Sequence, residues 1–525
     1  MRRHQQKQLL ELCQTLKEAY EELVRLFEAK QIDDSMINLL ADCQNFAIKM
    51  GEYIESICGE GTQTVALLIE CCEAIYQFSQ EPSKTILKAI RKQLIGIENS
   101  IRSELQPNHM EVLFLPYKVS MADSLQTIWE ASMANPQCET YVCPIPYYDK
   151  QPDGSLGQMH YEGDLYTDVK ITDWQEYDIQ SRHPDIIFIH SPYDDGNRVT
   201  SIHPDYYSEK LKDYTDLLVY VPYFVTVGDV AKHFCVTKGT VYADKVFVQS
   251  ERVRETYVRE FTEFVNENNY GEAFGVPEDK FIALGSPKFD ILENIDFKNK
   301  PLPSSWQQLI KGTGNRNKKI VLYNTSVGAH LKGGERYLKK LRSVIELFNK
   351  REDVVLWWRP HPLTGETYKS MLPDLYDEYQ EIVTEYCQEK RGIYDDTPDS
   401  YRAILWSDAY YGDHSAVVSL YGLTGKFIMY QDVNLVSDQK TYSFEEFLER
   451  SANHYRESAV HEDDLTIVSE DSTSCLNGLL DYLVLPTYSQ TYQFFADKKK
   501  ELFSLIAVFP KPSCGSTILE RCMEG

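Results

Sequence analysis

Over the first hundred residues apolar positions return every three or four places. Leu9, Leu12, Cys13, Leu16, Tyr20, Leu23, Val24 and Phe27 do so with charged residues between them, which lays one apolar stripe along a helix. Asp34-Ser35 offers a cap for a second helix running from Met36 to about Cys58, where Gly59-Glu60-Gly61 breaks the pattern. A third helix is predicted from about Thr64 to Phe78. Glu81-Pro82-Ser83 opens a fourth, with proline near its start, where a missing N–H costs least. Stripes of this kind must face something, so residues 1–105 read as a small bundle or a coiled oligomerisation or scaffold region. Packing outweighs a membrane anchor as the use of such charged amphipathic helices.

From Glu111 the pattern changes to short apolar runs without clean alternation. Val112–Pro116, Thr140–Cys143, Ile186–His190, Leu217–Tyr220 and Lys245–Val248 are of this type, and a helix is predicted from Ser250 to about Asn266. Continuous apolarity means burial on both faces, as in the parallel strands of an α/β sheet. Lys298 to Lys319, with Pro301, Pro303, Gly312 and Gly314, reads as a linker. A second alternation follows, with strands at Lys319–Tyr323, Val354–Trp358, Ala409–Tyr411 and Phe427–Tyr430 and a helix over Glu335–Lys350. The expected fold is therefore α/β with two Rossmann-like domains facing a cleft, preceded by a helical region. Residues from Ser443 onward read as a helical tail packing on the second domain.

Composition narrows the function. With 525 residues the chain needs more than one core, and 54 Lys+Arg against 80 Asp+Glu give a net charge of −26, which argues against general nucleic-acid binding. Twelve cysteines show no CxxC pair and no Cys/His spacing that frames a metal, so reduced and mostly buried thiols are expected, with no metal and no cofactor. The basic start, Met1-Arg2-Arg3-His4, runs into a charged amphipathic pattern rather than the apolar core of a signal peptide, and no stretch reaches the ~18–20 apolar residues of a membrane span. A cytoplasmic protein is expected, with peripheral docking on the inner membrane face left open.

Two loops carry candidate chemistry. Arg359-Pro360-His361-Pro362 follows a strand directly, outside the carboxyl end of the sheet, where ligands bind in open α/β folds. Arg359 suits bidentate phosphate recognition and the prolines pre-orient His361. A turn in which His361 bonds a backbone carbonyl fits the spacing equally well. Gly412-Asp413-His414-Ser415 also follows a strand and opens a helix, where Asp413 or Ser415 can cap and the helix start can attract an anion. Asn324-Thr325-Ser326, after the strand ending at Tyr323, forms a third polar loop at the same edge.

Strand, Arg-Pro-His-Pro, strand, Asp-x-Ser and then Gly425-Lys426-Phe427-Ile428-Met429-Tyr430 resemble the CDP-glycerol glycerophosphotransferases, the family of teichoic-acid polymerases and primases. Phe114–Lys118, Pro144–Lys150, His190–Asp195 and Leu284–Asp290 resemble a subgroup of it, so the resemblance covers about residues 112 to 435. It implies a glycosyltransferase-B architecture, with an acceptor domain over 106–300, a donor-nucleotide domain over 301–440 and a helical extension over 441–525. Carried over, Arg359 and His361 would face the donor diphosphate. Asp413, His414 and Ser415 would hold phosphate or glycerol, Asn324, Thr325 and Ser326 would donate hydrogen bonds, and Lys426 would support the loop.

The resemblance implies a transferase that moves glycerol phosphate, or a related alditol phosphate, from a CDP ester to a hydroxyl of a surface polymer. Its partners would be the CDP-alditol and a polyol-phosphate or glycan acceptor carried on lipid, and the N-terminal helices allow a homo-oligomer. No metal is needed if cationic side chains and a helix dipole absorb the charge on the leaving CMP. A sugar-nucleotide transferase and a non-catalytic nucleotide-binding scaffold are the competing readings. The family's Trp-His-Gly base is absent, the matching strand end being Val219-Tyr220-Val221-Pro222-Tyr223-Phe224. His190 at a strand end, with Asp194 or Asp195 as partner, is the expected substitute.

Overall fold

The computed structural model describes residues 1–434 except 32, 152, 227–229, 299, 313–316 and 425, together with 467–469, 473–484 and 510–524. Four helices open the chain, α1 (Arg3–Glu28), α2 (Asp34–Cys58), α3 (Gln63–Gln80) and α4 (Lys84–Ser103). The side chains of Asp33, Thr62 and Ser83 accept hydrogen bonds from first-turn N–H groups of α2, α3 and α4. Gly59 takes φ 81° at the end of α2, a conformation that favours glycine. The stripes face one another as a bundle whose core includes Leu16, Leu23, Leu68, Phe78, Ile90 and Ile97. The bundle is tied to the rest of the chain through the buried carboxylate of Glu111. It takes hydrogen bonds from Arg2 (2.9 Å), Arg182 (2.8 and 2.9 Å) and Tyr177 (2.6 Å).

The strands, in chain order, are β1 (Met110–Leu115), β2 (Cys138–Val142), β3 (Tyr147–Lys150), β4 (Leu156–His160), β5 (Ile186–Ile189), β6 (Thr200–Ile202), β7 (Leu217–Tyr220), β8 (Lys245–Val248), β9 (Phe281–Ala283), β10 (Lys319–Thr325), β11 (Val354–Pro360), β12 (Ile393–Tyr394), β13 (Ala409–Gly412), β14 (Phe427–Tyr430) and β15 (Ile467–Ser469). They form two six-stranded parallel sheets of order β2-β1-β5-β7-β8-β9 and β12-β11-β10-β13-β14-β15. Nearly every residue of β1, β5, β10, β11 and β13 is buried, which is why their runs are continuously apolar. This is the two-domain parallel α/β fold that the sequence pattern predicts. A three-stranded antiparallel sheet, β4-β3-β6, packs on the first domain through Tyr147 and Ile202. β3 and β4 are short and partly exposed and β6 is a buried run of only three residues, so none carries an apolar period to read.

Three features depart from the sequence reading. The linker contains a helix, Ser304–Leu309, whose Trp306 packs edge-on against Trp357 of β11 (5.1 Å). The segment read as a helical extension supplies β15, the edge strand of the second sheet. Its helix Thr473–Val484 buries Leu476, Leu479, Leu480 and Leu483 in the second domain, but the last helix, Cys514–Glu524, returns to the first. There Ile518, Leu519 and Cys522 join the core of Val112, Phe114 and Trp129. Residues 441–466 and 485–509 of that expected extension lie outside the described residues. Among the described residues no helix is long and apolar enough to cross a membrane.

The returning helix is held by Asp290, buried at 4% exposure, whose carboxylate accepts from Cys514 N (2.8 Å), Gly515 N (2.9 Å) and the Thr127 hydroxyl (2.7 Å). A β-carbon at Gly515 would meet the Thr127 backbone at 2.4 Å, so only glycine lets the helix approach. Asp290→Ala strands three buried donors and should cost roughly 3 kcal/mol, read as a lowered urea midpoint. An unchanged midpoint would show that the docking contributes nothing.

Candidate functional site

Strand register brings the predicted loops to one edge. β10 lies between β11 and β13, with Asn324 opposite both Arg359 and Gly412. The next residues continue the pattern, His361 N donating to Thr325 O (3.0 Å) and Asp413 N to Asn324 O (3.0 Å). His361 and Asp413 thus leave the sheet two strand spacings apart, roughly 10 Å between main chains. Gly412 has φ 146°, and a β-carbon there would sit 2.2 Å from Asn324 O, so glycine is required where β13 runs into the loop.

His361 is exposed at this edge. Leu363 N donates to its Nδ1 (3.2 Å), which leaves the proton on Nε2 as a donor toward the cleft. Although open to solvent on one side, the ring is crowded by protein elsewhere. Desolvation, then the positive charges of Lys118 and Arg359, lower its pKa to about 4, so at neutral pH it offers a hydrogen bond and not a charge. Ser415 occupies the N-cap of the helix Ala416–Leu423 without bonding its N–H groups, its hydroxyl being engaged by Asn324 Nδ2 (3.1 Å). His414 is exposed and leans on Tyr430 (5.4 Å). Ser326 N-caps the seven-residue helix Val327–Gly333 through Ala329 N (3.3 Å), and Thr325 is buried, accepting from Trp358 Nε1 (3.3 Å).

Several residues read as ligand contacts are spent inside the protein. The Arg359 guanidinium is buried, paired with the wholly buried Asp395 (2.8 Å) and bonded to Thr397 O (2.7 Å), so it does not face the cleft. Asp413 is buried as well. Its carboxylate accepts from Ser326 N (2.7 Å), Tyr337 Oη (2.6 Å) and Gln431 Nε2 (2.5 Å), and it shapes the edge from behind. Lys426 donates to the carbonyls of Ile404 and Leu405 (2.7 and 2.8 Å), closing the helix Ser400–Trp406 instead of supporting the Asp413 loop. Burial lowers its pKa to about 8.

The expected base is also corrected. His190 is fully buried; its Nδ1 donates to Met121 O (3.0 Å) and its Nε2 accepts from Tyr117 N (3.1 Å), leaving no lone pair for a substrate proton. Desolvation pushes its pKa to about 3. Asp194 does not partner it. That carboxylate accepts from Ser208 N (2.8 Å) and the Ser208 hydroxyl (2.9 Å), and burial raises its pKa to about 7. Asp195 is paired with Lys238 (2.7 Å), which holds its carboxyl below the usual range.

Comparison with known proteins yields no matching family model and no matching curated protein. Solved structures with a similar chain course include the wall teichoic acid polymerase TagF, at 13% identity and TM-score 0.44, covering 88% of this chain and 98% of that one. Others are the Neisseria meningitidis UDP-GlcNAc 2-epimerase bound to UDP-GlcNAc (13%, TM-score 0.43, 79% and 100%) and the S. aureus MnaA co-structure with UDP (12%, TM-score 0.42, 79% and 95%). What the site does is therefore read from its own side chains.

Two features of the site escape sequence reasoning. Lys118, half buried after β1, approaches from the first domain closely enough to bear on His361, and among the described residues it has no ion-pair partner. Its ammonium lies 4.6 Å from the Tyr147 ring centre, and burial lowers its pKa. The motif Pro116-Tyr117-Lys118 was the one available signal. The second is a joint between the domains, in which Lys288 donates to both oxygens of Asp123 (2.6 Å each) and Tyr401 of the second domain donates to Asp123 (2.9 Å). Beside it lies a cavity of about 400 Å³ lined from both domains by Trp129, Tyr166, Asp168 and Ser400.

His190 gives a signed test of its burial. Between pH 6.5 and about 3 the unfolded histidine binds a proton that the folded one refuses, so stability falls as pH drops, by roughly 1.4 kcal/mol per unit. Urea titrations at pH 7.5, 6 and 5 should show His190→Gln losing stability less steeply than the wild type by about that slope. Equal slopes would mean that His190 protonates freely in the folded protein.

Proposed function

We propose that the chain is a transferase that moves glycerol phosphate, or a related alditol phosphate, from a CDP-activated donor to a hydroxyl acceptor. The observation that carries this reading is Lys118, a half-buried cation with no ion pair among the described residues, close enough to His361 for its charge to bear on that ring in a protein of net charge −26. Burial disfavours its charged form, which Glu162 and Asp149 offset only in part, so an anion joining the ammonium would be favoured. The opposite wall is built for the same guest, with a neutral imidazole donor, the open helix start after Ser415 and the Ser326 loop.

These groups suit a diphosphate at the moment of transfer. The acceptor oxygen attacks the alditol-bearing phosphorus, the bond to CMP breaks, and CMP leaves with the electron pair. Charge then builds on the bridging and terminal oxygens, where Lys118, His361 and the helix start meet it without reorganising. Arg359 and Asp413 hold these groups in place from behind through the Asp395 pair and the Tyr337–Gln431 cluster. A neutral His361 adds a directed bond, while Lys118 supplies the charge.

Thermal shift with CDP, UDP and GDP, followed by turnover of CDP-glycerol to CMP, tests the reading. CDP should stabilise the protein most, and Lys118→Ala and His361→Ala should each lower CMP release by ~10²–10³ with little change in melting point. Equal shifts with all three nucleotides, or both variants releasing CMP normally, would refute it.

A further inference from the structure

The antiparallel sheet of the first domain pairs β3 with β4 so that Tyr147 faces His160 across the strands. Asp149, two residues on from Tyr147, lies on the same face, and its Oδ2 is 2.7 Å from His160 Nε2. We propose that His160 is the base that takes the proton of the acceptor hydroxyl, with Asp149 as its positioning residue; this rests on the transferase reading above.

The ring geometry fixes the roles. Nε2 donates to Asp149, so the lone pair stands on Nδ1, for which no protein partner exists among the described residues, and both side chains are accessible, at 33% and 53% exposure. This is the opposite of His190, whose two nitrogens are consumed inside the fold. The imidazole also lies against the Tyr147 ring (5.2 Å between centres, 23° between planes), the same ring that Lys118 approaches to 4.6 Å. His160 and Lys118 are therefore less than about 10 Å apart, one ring from the site at which the phosphate is proposed to bind. Tyr147 is itself fixed, donating to Glu162 (2.8 Å) and packing edge-on with Tyr117 (5.6 Å). Asp149, Glu162 and Lys118 are the charged groups around this ring, with the Tyr147 hydroxyl.

The step balances without a further reactant. The acceptor O–H loses its proton to His160 Nδ1 as its oxygen bonds to phosphorus, and the phosphorus–oxygen bond to CMP breaks with its electrons going to CMP. The imidazolium formed is stabilised by Asp149 and returns its proton to solvent. Asp149 also fixes the tautomer that presents a lone pair, the usual service of a carboxylate behind a catalytic imidazole.

The test uses the full chain, CDP-glycerol as donor, and first water, then synthetic tri(glycerol phosphate), as acceptor. His160→Gln keeps a hydrogen bond to Asp149 but accepts no proton, and transfer should fall ~10²–10⁴-fold with the melting point and CDP affinity retained. The acidic limb of the kcat/KM profile should vanish with it, and Asp149→Asn should shift that limb and lose less. His160→Gln within twofold of the wild type, with the acidic limb intact, overturns the base assignment while leaving the transferase reading in place. A wild type that neither binds CDP nor releases CMP with either acceptor overturns the reading itself, and the base with it.

Discussion

Everything proposed for the cleft depends on how the two parallel sheets are held against each other, and the central contact is the joint of Asp123, Lys288 and Tyr401. Asp123 and Lys288 have side chains only 15% and 9% exposed, so neither charge is content with solvent, and each needs the other. Tyr401, from the second domain, adds its hydroxyl to the same carboxylate. Asp123 sits five residues beyond Lys118, so the joint fixes the distance at which that ammonium meets His361. Asp290, two residues after Lys288, also anchors the returning C-terminal helix, so one short segment ties the first domain, the second domain and the chain end together.

Much of the architecture was legible because two-sided burial leaves a plain mark. The runs Ile186–Ile189 and Val354–Trp358 could hardly be anything but central strands, and the stripes of the first four helices were as clear. The small sheet was hidden because Tyr147–Lys150 and Leu156–His160 are too short and too exposed to show a period. β15 and the returning helix were missed for another reason. Both owe their place to distant partners, Phe427–Tyr430 and Asp290, that no local pattern can name.

The site divides in the same way. The sheet edge was readable, since Arg-Pro-His-Pro and Asp-x-Ser each follow a strand, but which side chains face the ligand was not. A sequence motif marks Arg359 and Asp413 without showing that Asp395 and Tyr337 already claim them. His190 shows the opposite hazard, because a strand-end histidine is as suitable for a buried hydrogen-bonding post as for a base. His160 and Asp149 are eleven residues apart across a turn, a pairing visible only once β3 and β4 are paired. At −26 overall, a chain that binds an anion as proposed has to concentrate the attraction locally, which is the role the proposal gives Lys118.

If a nucleoside diphosphate bridges the two walls of the cleft as proposed, a crystal structure of the full chain with CDP will show a terminal phosphate within about 2.7–3.2 Å of His361 Nε2 and within ~4 Å of Lys118 Nζ, next to the helix start after Ser415. CDP bound with its phosphates away from both residues, or a cleft left empty at saturating CDP, would contradict it.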